Sequence, residues 1–293
     1  MKVEFDKNDQ VISRSYSSLF KILLLLALIG TILGIFIVRT LIAKHGGNPP
    51  NLFSIFNMII FLISLGILVR RVKLVKKVDL IISILLGVFL GVEINYSRYY
   101  PLTRLNESSL VTSILHGAVF IIVFLAGIII MRIGGPVKVS LITKGWKKAF
   151  KGIGFGALFG LPLAIFNAYA FTIINNRPFI LEKSIIPLLN AFQPGVIEEV
   201  VYRFTFLGIL WLLINRIYPK HSIIISGIIA TLVHNYSHFD SLFYERPMFA
   251  LAYGGAVCLL FGIPMMILAL KKDLETAIAF HWIQDAVRFM GGL

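Results

Sequence analysis

The chain has 293 residues, of which 58% are hydrophobic and only 14% are charged, and its mean hydropathy is +0.88. This composition excludes an ordinary soluble globular protein, which carries more charge and lacks apolar runs of membrane length, and it indicates a polytopic α-helical membrane protein. The formal net charge is +14, but the basic residues lie in short loops between apolar runs. That placement is typical of loops that contact anionic lipids and not of a protein with a nucleic-acid partner. The single cysteine, Cys258, excludes an internal disulfide and a Cys-rich metal site.

After a basic N-terminal tail, the apolar segments predict an all-α membrane bundle of about eight to nine helices. In chain order the segments are Leu19–Ala43, Asn51–Val69, Asp79–Tyr96, Leu110–Met131, Ile153–Ile174, Ser184–Ile214, His221–Val233, Pro247–Leu270 and Thr276–Met290. The sixth segment is too long for one crossing, and Pro194-Gly195 in its interior predicts a break or kink. If all segments cross, the basic clusters at 70–77, 132–151, 216–220 and 271–272 fall on one side. That side and the N-terminus are therefore predicted to be cytoplasmic.

Two adjacent carboxylates and an arginine interrupt the apolar segment at this break. Glu198, Glu199 and Arg203 lie within the stretch Gln193–Phe204, and charge inside a membrane persists mostly where it is paired and useful. On an α-helix Glu199 and Arg203 share a face, which predicts an ion pair, whereas Glu198 is rotated away by about 100°. One arginine cannot neutralise both carboxylates, so Glu198 is expected to face a polar cavity and take part in chemistry. Tyr202 fits either the wall of such a site or core packing.

Histidines on two later segments are candidate partners for Glu198. His234 ends one apolar segment, and His281 lies four residues before Asp285 on the last helix. A carboxylate with two imidazoles near membrane depth forms a workable hydrolytic cluster if water reaches it. The same side chains could instead supply a Zn²⁺ site with an open position for water, although the helical zinc-protease signature HExxH is absent. His238, in a loop one turn after His234, fits a surface role at least as well.

These residues resemble three motifs of the CPBP membrane-protease family, which includes the type II CAAX prenyl endopeptidases and the bacteriocin-processing or self-immunity proteins. Glu198-Glu199-Val-Val-Tyr-Arg203 resembles the EExxxR motif. His234 fits the second motif, although the aromatic residue usually found four positions earlier is Ala230 here. His281-Trp-Ile-Gln-Asp285 resembles the third motif, HxxxN or HxxxD. The order and spacing of the motifs agree with the family over residues 144–293.

The resemblance implies an intramembrane endopeptidase with a conical polar cavity. Residues 141–293 would form its catalytic core, in which Glu199 and Arg203 support the site, and residues 1–140 would be N-terminal transmembrane helices without a recognised motif. The implied substrate is a membrane-associated peptide or lipidated protein cut near its C-terminus, with prenylated CAAX sequences as the type suggested by the family. One alternative is a non-catalytic scaffold or immunity-type protein that retains the motif. Another is an ion- or proton-coupled carrier, against which the lack of an internal repeat counts.

The resemblance also implies roles for the motif residues. Glu198 and His234 would activate a water molecule, whereas His281 and Asp285 would stabilise the oxyanion. The Asn common in the family can donate a hydrogen bond to an oxyanion, but an ionised Asp285 cannot. Either Asp285 is protonated by its apolar setting, or it orients His281 by accepting its second N–H, and we favour the second. The family favours catalysis without a cofactor; if Zn²⁺ were bound, Glu198, His234 and His281 would be its ligands.

Overall fold

The computed structural model describes residues 18–95, 109–174 and 176–292, and every regular element within these ranges is helical. The first helices are α1 (Ser18–Lys44), α2 (Leu52–Arg71), α3 (Lys77–Glu93), α4 (Ser109–Arg132), α5 (Ser140–Thr143) and α6 (Trp146–Ile174). The later helices are α7 (Ile186–Asn190), α8 (Leu207–Ile214), α9 (Ser222–Ser237), α10 (Leu242–Glu245), α11 (Pro247–Val257), α12 (Ile263–Lys271) and α13 (Leu274–Met290). A π-helical segment, Gln193–Phe206, leads into α8, and a shorter one, Cys258–Gly262, joins α11 to α12. The predicted all-α fold is confirmed; the predicted end of the third segment, Tyr96, lies outside the described residues.

The long helices have the length and surface of membrane spans. Within the described ranges five are long and apolar enough to cross a membrane: Ser18–Lys44, Leu52–Leu74, Leu110–Arg132, Trp146–Ile174 and Pro247–Lys271. Helix α1 buries none of its side chains, and large apolar residues are exposed along α2 and α6. Apolar surface of this extent is unfavourable in water, whereas lipid is as apolar as leucine. The prediction of an integral membrane protein is confirmed.

Glycines on α6 allow this helix to run beside α13 at short distance. Gly156 lies against the backbone carbonyl of Thr276, and one turn further Gly160 lies against Phe280. A Cβ at Gly160 would lie 3.0 Å from the carbonyl oxygen of Phe280, so a side chain there would force the helices apart. This contact fixes the position of α13, the helix on which His281 lies.

A break in the chain precedes the π segment. Helix α7 ends at Asn190 and the π segment begins at Gln193, so the break lies slightly before the predicted position at Pro194-Gly195. The reason is that proline is tolerated in the first turn of a helix, where its missing N–H leaves no bond unmade. A Cβ at Gly195 would lie 3.0 Å from the Cα of Trp282, so the start of the π segment packs closely on α13 beside His281.

A buried glutamine ties the start of the π segment to the N-terminal helices. Gln193 is fully buried, and its Nε2 donates to the carbonyl oxygen of Leu90 at 3.1 Å and to the carboxylate of Glu93. His116 of α4 lies 2.9 Å from the amide oxygen of Gln193. Since that oxygen can only accept, His116 carries its proton on Nε2 and donates it. These bonds hold the π segment at one depth in the bundle, and with it the glutamates that follow.

Candidate active site

A cavity of about 360 Å³, with both polar and apolar side chains on its wall, lies between the π segment, α6, α9, α11, α12 and α13. Glu198 is on its wall with 2% of its surface exposed. Three imidazoles approach Oε2 of Glu198, with Nε2 of His234 at 2.7 Å, Nε2 of His238 at 3.4 Å and Nε2 of His281 at 3.9 Å. The structure therefore brings His234 and His281, the partners predicted from the sequence, to the same carboxylate oxygen.

Arg203 determines where the proton of His234 lies. Nη1 of Arg203 contacts Nδ1 of His234, and a guanidinium has only donors, so Nδ1 has to accept. The ring proton is then on Nε2, which donates to Oε2 of Glu198 at 2.7 Å. The ring of Tyr202 is tilted by 33° against that of His234, with the centroids 4.4 Å apart, and Tyr202 is fully buried, so it packs against His234. The His234 ring is thus held by Arg203, Tyr202 and Glu198, and the side of Glu198 that does not contact His234 faces the cavity.

His281 lies between two carboxylates. Its Nδ1 is 2.9 Å from Oε1 of Glu199, and its Nε2 is 3.4 Å from Oδ2 of Asp285. Because an ionised carboxylate only accepts, both ring nitrogens face acceptors and both are placed to carry a proton. The distance to Asp285 is longer than an ordinary N–H···O hydrogen bond. The Nε2–H of His281 therefore remains available to a further acceptor inside the cavity.

The buried charges of the cluster compensate one another. Nη1 of Arg203 is 3.5 Å from Oε1 of Glu199, and both side chains are almost completely buried, as the predicted ion pair requires. Asp285 receives a hydrogen bond from Nη2 of Arg288 at 2.7 Å. If His281 is protonated, the cluster has three positive and three negative groups. The positive groups are Arg203, Arg288 and His281, and the negative groups are Glu198, Glu199 and Asp285. A buried charge without such compensation would be strongly unfavourable.

Sequence reasoning missed the contribution of two residues, His238 and Arg288. His238 lies at the mouth of the cavity with 37% of its side chain exposed, and its Nε2 is 3.2 Å from Nε2 of His234. The available signal was the spacing of four residues between the two histidines, which is one helical turn. The predicted helix ended at Val233, which assigned His238 to a loop, whereas α9 continues to Ser237.

One group among the described residues has ligand atoms close enough together to hold a metal ion. It consists of Glu198, His234 and His238, whose ligand atoms lie within 4.8 Å of one another, so His238 takes the place of His281 in the predicted set. A ligating histidine normally donates its second ring N–H to an acceptor, whereas the second nitrogen of His234 faces the donor Arg203. Ligation through Nε2 would leave His234 with no proton on either nitrogen.

The fold and this buried cluster define a multi-pass membrane protein with a carboxylate–imidazole site inside its helical bundle. Residues 180–287 match the family model of the type II CAAX prenyl endopeptidase Rce1-like proteins. The matched region begins after α6 and includes the π segment, α9 and the part of α13 that carries the third motif. The family resemblance drawn from the three motifs is therefore confirmed, and the family is one of membrane proteases. No curated protein and no solved structure gives a significant match to the chain.

Proposed function

We propose that the protein hydrolyses a peptide bond near the C-terminus of a membrane-associated substrate, with prenylated CAAX-type proteins as one substrate class suggested by the family. The observation that supports this most directly is the surrounding of Glu198. Its carboxylate is buried, lies on the wall of the cavity, and has three imidazole nitrogens within 3.9 Å of one oxygen. A carboxylate held in this way is suited to act as a general base.

In the proposed reaction Glu198 takes a proton from a water molecule in the cavity, and the water oxygen attacks the carbonyl carbon of the substrate. His234 holds the carboxylate by donating its Nε2–H, at 2.7 Å. The proton then passes from Glu198 to the nitrogen of the leaving peptide while the C–N bond breaks, which leaves a carboxylic acid and an amine. Proton transfer by a positioned group contributes about 10²–10⁴-fold to the rate.

His281 is proposed to stabilise the oxyanion of the tetrahedral intermediate. Its Nδ1 is held by Glu199 at 2.9 Å, so its Nε2–H points into the space between Asp285 and Glu198. Oδ2 of Asp285, 3.4 Å from Nε2, attracts this N–H without holding it in an ordinary hydrogen bond, so an aspartate that cannot donate still fits where the family commonly has asparagine. A donor placed for an oxyanion contributes roughly 10²–10³-fold.

The N-terminal helices are proposed to close one side of this site. We assign residues 141–293 to the catalytic core and residues 1–140 to a supporting region. Phe53 of α2 supports this division, because its ring lies 5.1 Å from the ring of His238 and 5.5 Å from that of Tyr202. The described residues of the supporting region thus pack on the core, and none of them places an acid or a base on the cavity wall.

We propose that the reaction needs no metal ion, because the guanidinium of Arg203 occupies the acceptor nitrogen of His234. The test is cleavage of a farnesylated CAAX peptide by the purified protein, before and after dialysis against a chelator. We expect the same rate in both conditions. Loss of activity that Zn²⁺ restores would reject this part of the proposal.

The role of Glu198 is tested in the same assay with Glu198→Gln, which keeps the shape of the side chain. We expect a loss of at least about 100-fold in kcat with an unchanged thermal unfolding temperature. Glu245→Gln is the control, because Glu245 is exposed on α10 and does not line the cavity, and it should keep full activity. Full activity of Glu198→Gln would reject the general base. A wild-type protein that cleaves no peptide, combined with reduced stability of Glu198→Gln, would favour a non-catalytic scaffold.

A further inference from the structure

We propose that Arg288 binds the free C-terminal carboxylate of the substrate, and this inference rests on the proposed peptidase function. Arg288 lies in the last turn of α13 and lines the same cavity as Glu198. Among the described residues that line the cavity, it is the only lysine or arginine. Its side chain is 24% exposed, so the guanidinium can be reached from within the cavity.

The guanidinium of Arg288 has N–H donors that are not used by any described residue. It presents five N–H groups, and Nη2 uses one of them on Asp285 at 2.7 Å. Its Nε is buried without an acceptor in the described part of the chain, so the donors that a ligand can reach are those at the exposed end of the guanidinium. A carboxylate binds the edge of a guanidinium through two parallel hydrogen bonds. A second carboxylate, supplied by a peptide, is therefore a fitting ligand.

Two aromatic rings hold the guanidinium and leave its edge for hydrogen bonding. The guanidinium carbon of Arg288 lies 5.0 Å from the ring centroid of Phe171 and 4.9 Å from that of Phe289. Contacts of this kind stabilise a cation without using its N–H groups. Phe171 also lines the cavity, so this arrangement presents Arg288 at the cavity wall.

A chain of contacts links Arg288 to Glu198 along the wall of the cavity. Three contacts connect the two residues: Glu198 to His281 at 3.9 Å, His281 to Asp285 at 3.4 Å, and Asp285 to Arg288 at 2.7 Å. Each residue of an extended peptide adds about 3.3–3.6 Å. A peptide whose scissile carbonyl lies beside Glu198 can therefore place its terminal carboxylate at Arg288 within a few residues. The ligand class is a peptide with a free C-terminus a few residues beyond the cleaved bond.

The test compares two peptides that differ only at the C-terminus, one with a free carboxylate and one with an amide. For the wild type we expect kcat/KM to be about 10- to 100-fold higher for the acid, since a hydrogen bond to a charged group has this strength. In Arg288→Gln the preference should disappear, because KM for the acid rises relative to KM for the amide, whatever loss of activity the two peptides share. Arg288→Lys should retain part of the preference.

Further variants separate this role from a merely structural one, in which Arg288 only neutralises Asp285. A structural role predicts that Arg288→Gln slows cleavage of both peptides equally, and that adding Asp285→Asn restores cleavage of both. Our proposal predicts that Arg288→Gln/Asp285→Asn shows no preference between the acid and the amide. Arg177→Gln is the control, because Arg177 lines a neighbouring cavity and not this one, and it should keep the wild-type preference.

Two results would overturn the carboxylate subsite while leaving the peptidase intact. They are equal cleavage of the acid and the amide by the wild type, and a preference for the acid that survives Arg288→Gln. Cleavage of neither peptide by the wild type would instead overturn the proposed function, and the subsite with it.

Discussion

Replacing Arg203 with methionine tests whether one guanidinium holds both halves of the site. The side chain of Arg203 is 1% exposed and that of its partner Glu199 is fully buried. Methionine fills a similar volume but removes the cation beside Glu199 and the donor to Nδ1 of His234. The variant therefore leaves a buried carboxylate uncompensated and frees the proton of His234 to move to the other ring nitrogen.

The size of the effect follows from the burial of the pair. Removing one partner of a buried ion pair destabilises a protein by about 3–5 kcal/mol, because the other charge stays buried. For a chain of this length that corresponds to a fall of roughly 6–20 °C in the unfolding temperature. We expect this fall in detergent-solubilised Arg203→Met, measured by thermal denaturation, together with loss of peptide cleavage.

The double variant Glu199→Gln/Arg203→Met separates stability from activity. It removes both charges, so most of the lost stability should return. The amide introduced at position 199 would still offer an oxygen to His281, whereas Nδ1 of His234 would still lack its donor. We therefore expect activity to stay at least about 100-fold below the wild type. A stable and active Arg203→Met would refute the reasoning, and so would a double variant with wild-type activity.

Two further predictions concern helix packing and membrane orientation. Gly156→Ala should lower stability by about 1–3 kcal/mol, because its Cβ would overlap the carbonyl oxygen of Thr276. Gly154→Ala, where a Cβ meets nothing within 4 Å, is the control in the same thermal measurement, and equal stability of the two variants would contradict this contact. The mouth of the cavity lies at the ends of α9 and α13 that are opposite to the basic clusters, which are predicted to be cytoplasmic. His238→Cys, made in a Cys258→Ser background, should therefore react with a membrane-impermeant maleimide that is added outside the cell. Labelling that requires permeabilised membranes would reverse the predicted orientation, including the cytoplasmic N-terminus.

The helices themselves could be predicted, because long apolar runs bounded by charge are a strong signal. The end of α9 could not. The polar residues after Val233 suggested a loop, but their side chains bond to the preceding turn. Nδ2 of Asn235 donates to the carbonyl oxygen of Thr231 at 2.8 Å, and Oγ of Ser237 donates to that of Val233 at 2.6 Å. These bonds let polar residues continue the helix, and they bring His238 next to His234.

The π-helical form of Gln193–Phe206 has no signature in local residue preference. π-Helices are rare, and this one is held by contacts from distant parts of the chain. Its first residue, Gln193, is bonded to α3 and α4, and Gly195 packs against Trp282 of α13. The prediction that Glu199 pairs with Arg203 while Glu198 points elsewhere rested on α-helical spacing. The observed pairing survives the change of helix type because Arg203 is long enough to reach both Glu199 and His234.

The aspartate at position 285 is best explained together with Arg288, three residues later on the same face of α13. An asparagine at position 285 would leave Arg288 as an uncompensated cation at the cavity wall, and an aspartate without Arg288 would add a third carboxylate that only His281 could balance. With both residues present, the charges of the cluster cancel and His281 keeps acceptors at both ring nitrogens. The departure from the family's usual asparagine is therefore not evidence of a lost activity. Asp285 holds the guanidinium of Arg288 at 2.7 Å on the cavity wall, where we propose that it binds the peptide carboxylate.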